Sequence, residues 1–266
     1  MIESSELLVA DDITVSYGAD PVLVDVSLTI ESGDLIGIVG PSGSGKSTLL
    51  KALLGGIDPT SGTVTRRRGV SVGFVPQVEK IDWNFPVTVA ECVGMARAKG
   101  WRTPWISRSE RAEITTALDR LGLDGLGDRH IRDLSGGQQQ RVFIARALYT
   151  GSDIMFLDEP TSGLDVRTRH EVLHLLRDLN SDGLTIVLST HDLNGIATHL
   201  PTIVCLNRSI ISAGDPDVVL TPEVLEQTYG SPMQILEHGG MRVVVEAGPE
   251  ASVLPFGTRT GTAAGV

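Results

Sequence analysis

Three short, unbroken apolar runs organise the chain: LIGIV at 35–39, IMFL at 154–157 and the LTIVL that opens LTIVLST at 184–190. Each is too brief for a helix and lacks polar alternation, the pattern of a strand covered on both faces in a parallel sheet. Helix-prone segments lie between them. LLKALLGG follows the first run, QQQRVFIARALY places apolar Val142, Ile144, Ala145 and Leu148 at helical spacing, and residues 167–179 carry a helical pattern ahead of the third run. Strand, helix, strand in this order predicts βαβ units and an α/β fold with a mainly parallel sheet. Residues 7–68 alternate over short strands, the early ones expected as an antiparallel layer, and FVPQ at 74–77 predicts a strand running into a loop. Residues 87–132 turn helical, most clearly amphipathic over 110–121, which predicts an inserted helical subdomain at about 87–135 within a domain spanning 1–246. The tail 247–266 has small residues, two prolines and no apolar period, and is expected to be disordered.

The chemistry sits where these runs end. After the first comes GPSGSGKST: Gly40, Pro41, Ser42, Gly43, Ser44, Gly45, Lys46, Ser47 and Thr48. The glycines let the backbone curl so that several N–H groups face one concavity, and the following helix aims its positive dipole end there. That is a cradle for a polyphosphate. Lys46 would supply charge to the outer phosphates, and the Ser47 hydroxyl is placed to ligate the Mg²⁺ that accompanies a nucleotide.

The second run delivers Asp158 and Glu159 to the carboxyl edge of the sheet, where ligands of open α/β sheets bind. Asp158 would hold Mg²⁺ through water, and Glu159 would orient or deprotonate the water that attacks the γ-phosphate. The third run ends at His191, a candidate γ-phosphate contact. A further phosphate-friendly element is LSGGQ, formed by Leu134, Ser135, Gly136, Gly137 and Gln138: Ser135 suits an N-cap and the glycines allow close approach. This second helix start could serve the same nucleotide, or the nucleotide of a second copy in a two-fold dimer.

On these residues the chain resembles the ATP-binding subunits of ATP-binding cassette (ABC) transporters, from about residue 7 to 233. The resemblance implies a P-loop NTPase (RecA-like) core with an N-terminal antiparallel β layer and an inserted α-helical subdomain, hydrolysing ATP with Mg²⁺. It further implies adenine stacking on Tyr17, Mg²⁺ and permease sensing by Gln77, a catalytic Glu159, a switch at His191, and Asp165 reaching across a dimer. In that family two copies sandwich two ATP molecules, each between one copy's phosphate loop and the other's LSGGQ. The segment after Gln77, with Asp82-Trp83 and Phe85-Pro86-Val87-Thr88-Val89, is similar to that of bacterial manganese and zinc importers. One departure is Thr161, where many of those importers carry a bulkier aromatic residue. The implied partners are an integral membrane permease and, indirectly, an extracytoplasmic metal-binding protein, with the chain held at the cytoplasmic face of the membrane. The alternatives are an ABC ATPase for another cargo, such as chelated iron, or a soluble ABC ATPase outside transport.

Composition narrows the classes further. Hydrophobic residues make up 41% of 266, yet no run approaches the roughly 18 needed to span a bilayer, and the acidic start MIESSELL carries no secretory signature. A formal net charge of −11 argues against nucleic acid as a partner, and Arg66, Arg67 and Arg68 are expected on a solvated strand face. Cys92 and Cys205 form no CxxC, so no disulfide framework or thiolate metal site is indicated. HEVLH at 170–174 matches the zinc-protease pattern HExxH, but the extension fails at Arg177 and Asn180, and an exposed helix face is expected instead. Trp83, Trp101 and Trp105 cluster beside the Gln77 loop and are expected to form a partner-docking face.

Overall fold

The apolar runs become the central strands of a six-stranded sheet in a computed structural model that describes residues 5–81, 86–97, 106–238 and 241–246. The three tryptophans, the Asp82 and Phe85 segment and the tail after 246 lie outside the described residues. In chain order, β1 (Glu6–Tyr17) and β2 (Asp20–Glu31) precede β3 (Leu35–Val39), α1 (Lys46–Leu53), β4 (Ser61–Arg66) and β5 (Val72–Val75). Then come α2 (Val89–Gly94), α3 (Arg108–Asp119), α4 (Gly136–Tyr149), β6 (Ile154–Asp158), α5 (Val166–Ser181), β7 (Thr185–Thr190) and α6 (Leu193–Ile196). The chain continues through β8 (Thr202–Asn207), β9 (Ser209–Gly214), α7 (Pro216–Val219), α8 (Pro222–Tyr229), β10 (Met233–His238) and β11 (Met241–Glu246).

The large sheet runs β5-β6-β7-β3-β8-β9, parallel except for β9, while β2, β1 and β4 form a separate antiparallel sheet. Alternation along each strand feeds two cores. Leu35, Met155, Leu157, Ile186, Leu188 and Ile203 pack with the helices α2 to α6 and α8 on one face. Ile36, Ile38, Phe156, Val187 and Val204 point to the other, where α1 is enclosed between the large sheet and the antiparallel layer. Strands buried on both sides explain why the runs are apolar without interruption. Phe156, Ile38 and Leu49 are fully buried, each contributing about 1.5–3 kcal/mol by leaving water.

Between β5 and β6 the chain leaves the sheet for α2, α3 and α4. Thr88, Ser107 and Ser135 each close a reciprocal capping box on the following helix, with Glu91, Glu110 and Gln138. The Ser107 cap starts α3 two residues ahead of the amphipathic segment read from the sequence. Arg66 ends β4, whereas Arg67 and Arg68 lie in the turn beyond it, so the basic triplet is not one strand face as expected. The capping signal Thr221-Pro222 sets α8, and the hairpin β10–β11 is tied to α6 because the Asn194 side chain exchanges two hydrogen bonds with the Val244 backbone. Among the described residues, no helix is long and apolar enough to cross a membrane.

Candidate active site

The loop after β3 curls around an ammonium group. Lys46 Nζ donates to the carbonyls of Gly40 at 2.7 Å and Pro41 at 2.8 Å, so a nearly buried cation is satisfied by its own loop. Burial lowers the Lys46 pKa from the ordinary lysine value, against the opposing pull of the Glu159 and Asp158 carboxylates. Gly45 sits at φ 102°, and an added Cβ would lie 2.5 Å from Leu23 of β2, so only glycine lets the loop pass under the antiparallel layer. Beside the loop is an open cleft of about 310 Å³ lined by Val22, Ser42, Gly43, Gly45, Lys46, Ser47, Thr48 and Glu159. Ser44 Oγ, in the loop but not lining the cleft, is buried without a hydrogen-bond partner.

The sheet brings the carboxylates to this loop. Ser47 Oγ lies 3.0 Å from both oxygens of Asp158, across 111 residues of sequence. Glu159 Oε2 meets His191 Nδ1 at 3.2 Å. Glu159 adopts φ 48°, a left-handed backbone that costs about 1–3 kcal/mol for a residue with a side chain. Its N–H is held by both the carbonyl and the hydroxyl of Ser189, each at 3.1 Å, and Ser189 Oγ also donates to Asp158 Oδ1 at 2.7 Å. Ser189 escaped the sequence reading; its one signal is a hydroxyl at the end of the apolar run, two residues before His191.

Other candidates stand apart from this cluster. The Gln77 side-chain N–H₂ donates to Glu79 at 3.1 Å and Ser162 at 3.4 Å, which draws the side chain toward those residues rather than toward Ser47 and Asp158. No residue of the LSGGQ segment lines the cleft; Ser135 caps α4 by accepting from the Gln138 N–H at 3.3 Å. Leu134 is buried beneath it, while Ser135 and Gly136 are exposed. Asp165 caps α5, accepting from the Thr168 hydroxyl at 2.6 Å and amide at 3.0 Å, which together hold its carboxyl below the ordinary range. Tyr17, at the end of β1, presents an exposed ring.

The HEVLH helix face does not form a metal centre. Glu171 pairs with Arg141 and Arg167, while His170 Nδ1 lies 3.0 Å from His199 Nε2 and His174 packs edge-on against the same ring. Among the described residues, no group of three His, Cys, Asp or Glu side chains is placed to hold a metal ion. Cys92 and Cys205 are buried free thiols, the latter pushed up to about 11 by burial.

A mainly parallel sheet with a phosphate loop after β3, and two carboxylates at the carboxyl end of β6 one strand further on, defines a P-loop nucleotide-binding protein. The chain matches the ABC transporter family over residues 23–162. It is 38% identical over 236 residues to a manganese transport system ATP-binding protein of Bacillus subtilis, covering 85% of this chain and 94% of the relative. A zinc transport system ATP-binding protein of Treponema pallidum is also 38% identical, over 258 residues, with 92% and 95% covered. A solved ABC transporter of metal-chelate type, in an inward-facing conformation, superposes with a TM-score of 0.81 at 30% identity, covering 91% of this chain and 98% of that one. The chain belongs to the ABC transporter family.

Proposed function

We propose that this chain is the ATP-hydrolysing subunit that energises a membrane importer of divalent metal ions, manganese or zinc. One observation carries the catalytic part: Lys46, Ser47 and Glu159 line one cleft, with Asp158 in contact with Ser47 and His191 with Glu159. The loop from Gly40 to Thr48 takes the phosphates of ATP, its N–H groups and Lys46 meeting their charge, and Tyr17 stacks on the adenine. Lys46 exchanges its two loop carbonyls for phosphate oxygens. Glu159 orients the attacking water and accepts its proton at the carboxylate, and His191, hydrogen-bonded to that carboxylate, contacts the γ-phosphate.

The donor set suits Mg²⁺, because a hydroxyl and a carboxylate already lie in contact and both are hard oxygen ligands. Ser47 and Asp158 would hold the ion, with Gln77 as a third ligand once its amide turns away from Glu79. Bound there, Mg²⁺ neutralises charge on the phosphate oxygens.

The exposed Ser135 and Gly136 at the start of α4, outside the cleft, suit the nucleotide of a second copy, with Asp165 beside that interface. The chain works at the cytoplasmic face of the membrane, held by an integral permease that receives metal from an extracytoplasmic binding protein. The two metal-transport relatives support this cargo, and the likeness to the metal-chelate transporter supports a chelated metal such as iron as a second reading.

Three measurements test the proposal. Glu159→Gln keeps shape and hydrogen bonding but removes the base, so turnover falls on the order of a hundredfold or more while ATP binding persists; normal hydrolysis by the variant would refute the role. Cells lacking the chain should lose uptake of radiolabelled Mn²⁺ or Zn²⁺, and the native complex should contain a multi-span permease. Loss of chelated iron uptake alone would favour the second reading.

A further inference from the structure

The residue two before His191 ties the two carboxylates of the site together. Ser189 closes the apolar run of β7, is fully buried, and stands opposite Asp158 in the register of β6 and β7. Burial by itself would be met as well by alanine or valine. The hydroxyl instead spends both kinds of hydrogen-bonding capacity on the site: its proton goes to Asp158 Oδ1 at 2.7 Å, and it accepts the Glu159 N–H at 3.1 Å. It thus fixes the rotation of one carboxylate and the left-handed backbone that aims the next.

Ser47 is the other hydroxyl on Asp158, and the two differ in what nucleotide binding does to them. Ser47 lies in the cleft, and a cation held by its oxygen lone pair would leave its proton still seeking an acceptor, so its bond to Asp158 shifts with the cation. Ser189 is fully buried and does not line the cleft, so its bond to Asp158 Oδ1 is independent of the nucleotide. That bond limits the rotation of Asp158, and the other holds the Glu159 backbone.

From this geometry we infer that Ser189 is a positioning residue, setting the cation affinity of the nucleotide site through Asp158 and the aim of Glu159 through its backbone. The inference rests on the reading of Asp158 as a cation ligand. Removing a partner of a metal-binding carboxylate typically costs about 10–100-fold in affinity or activity, and that range is expected for Ser189→Ala.

The test compares ATP affinity by calorimetry in EDTA and in Mg²⁺, for wild type, Ser189→Ala, Ser189→Val, Ser189→Thr and Asp158→Asn. Thr and Val have nearly the same shape, so their difference isolates the hydroxyl from volume. Affinity in EDTA, which depends on the loop and Lys46, should be equal in wild type and the three Ser189 variants and also certifies their folding, while Asp158→Asn serves as the control for the Mg²⁺-dependent gain alone. The gain in affinity on adding Mg²⁺ should shrink about tenfold or more in Ser189→Ala and Ser189→Val and be retained in Ser189→Thr. A full gain in both Ala and Val overturns the inference about Ser189. A full gain in Asp158→Asn, or no gain in wild type, overturns the reading of Asp158 and the inference with it. In turnover with Mg²⁺, Ser189→Val should raise KM in line with its weaker affinity and also lower kcat through the loosened Glu159 backbone, whereas Ser189→Thr should change neither.

Discussion

Gly137→Ala adds one methyl group at the interface between α4 and α5, and its effect can be worked out from what surrounds that position. Gly137 is buried in the first turn of α4, and an ideal Cβ there would fall far inside the ordinary carbon–carbon separation of about 3.5–4 Å from Thr168 Cγ2. The backbone is helical, not left-handed, so alanine meets no strain and gains up to about 0.5–1 kcal/mol from reduced unfolded-state freedom. Against this stands overpacking, about 1–3 kcal/mol, because Thr168 is pinned by its two hydrogen bonds to Asp165 and cannot rotate without breaking one. Overpacking is the larger, leaving a net loss of up to about 2.5 kcal/mol, or up to roughly 10 °C in Tm. Thr168→Ser removes the clashing methyl and keeps the hydroxyl on Asp165. In that background Gly137→Ala should become neutral or stabilising, with a coupling of about 1–3 kcal/mol in a double-mutant cycle read by thermal and urea denaturation. Additivity within about 0.3 kcal/mol would refute the close contact. ATPase activity adds a second readout: if Gly137 also admits a nucleotide closely, activity stays low in the double variant although stability returns.

Two further outcomes are expected. Ser135→Arg and Lys46→Ala should each hydrolyse ATP poorly alone, yet recover up to about a quarter of wild-type activity when mixed equally, since half the dimers then hold one intact site of two; strict cooperativity between the sites would lower the recovery, and normal hydrolysis by Ser135→Arg alone would exclude a shared site. His199 has its pKa lowered by burial and by His170, His174 and Arg177 around it. The unfolded chain therefore takes up this proton first, so stability is full above the ordinary histidine value of about 6.5 and falls as pH drops below it. Tm between about pH 7 and 5 should decline more steeply for wild type than for His199→Leu, and parallel curves would remove His199 from the acid response.

The sequence by itself determined the parts whose signals are local. A short apolar run bounded by glycine and polar residues fits a strand covered on both faces, and the glycines of GPSGSGKST favour a loop that exposes its N–H groups and opens a helix at Lys46. Ser107 with Glu110, and Ser135 with Gln138, set helix starts through bonds that span three residues. Motif spacing then carried the family resemblance. The boundaries drifted where a cap outweighed the apolar period, as at α3, and the hairpin β10–β11 was not anticipated because its anchor is Asn194, about fifty residues earlier. Only the tertiary structure decided which side chains meet across long separations. Strand register set Ser189 opposite Asp158; the packing of α5 against the segment after α6 brought His199 onto His170; and the Gln77 loop met Ser162 through Glu79. Periodicity says which face of an element is buried, but the sliding and rotation of one element on another are fixed only when all the side chains between them are packed together.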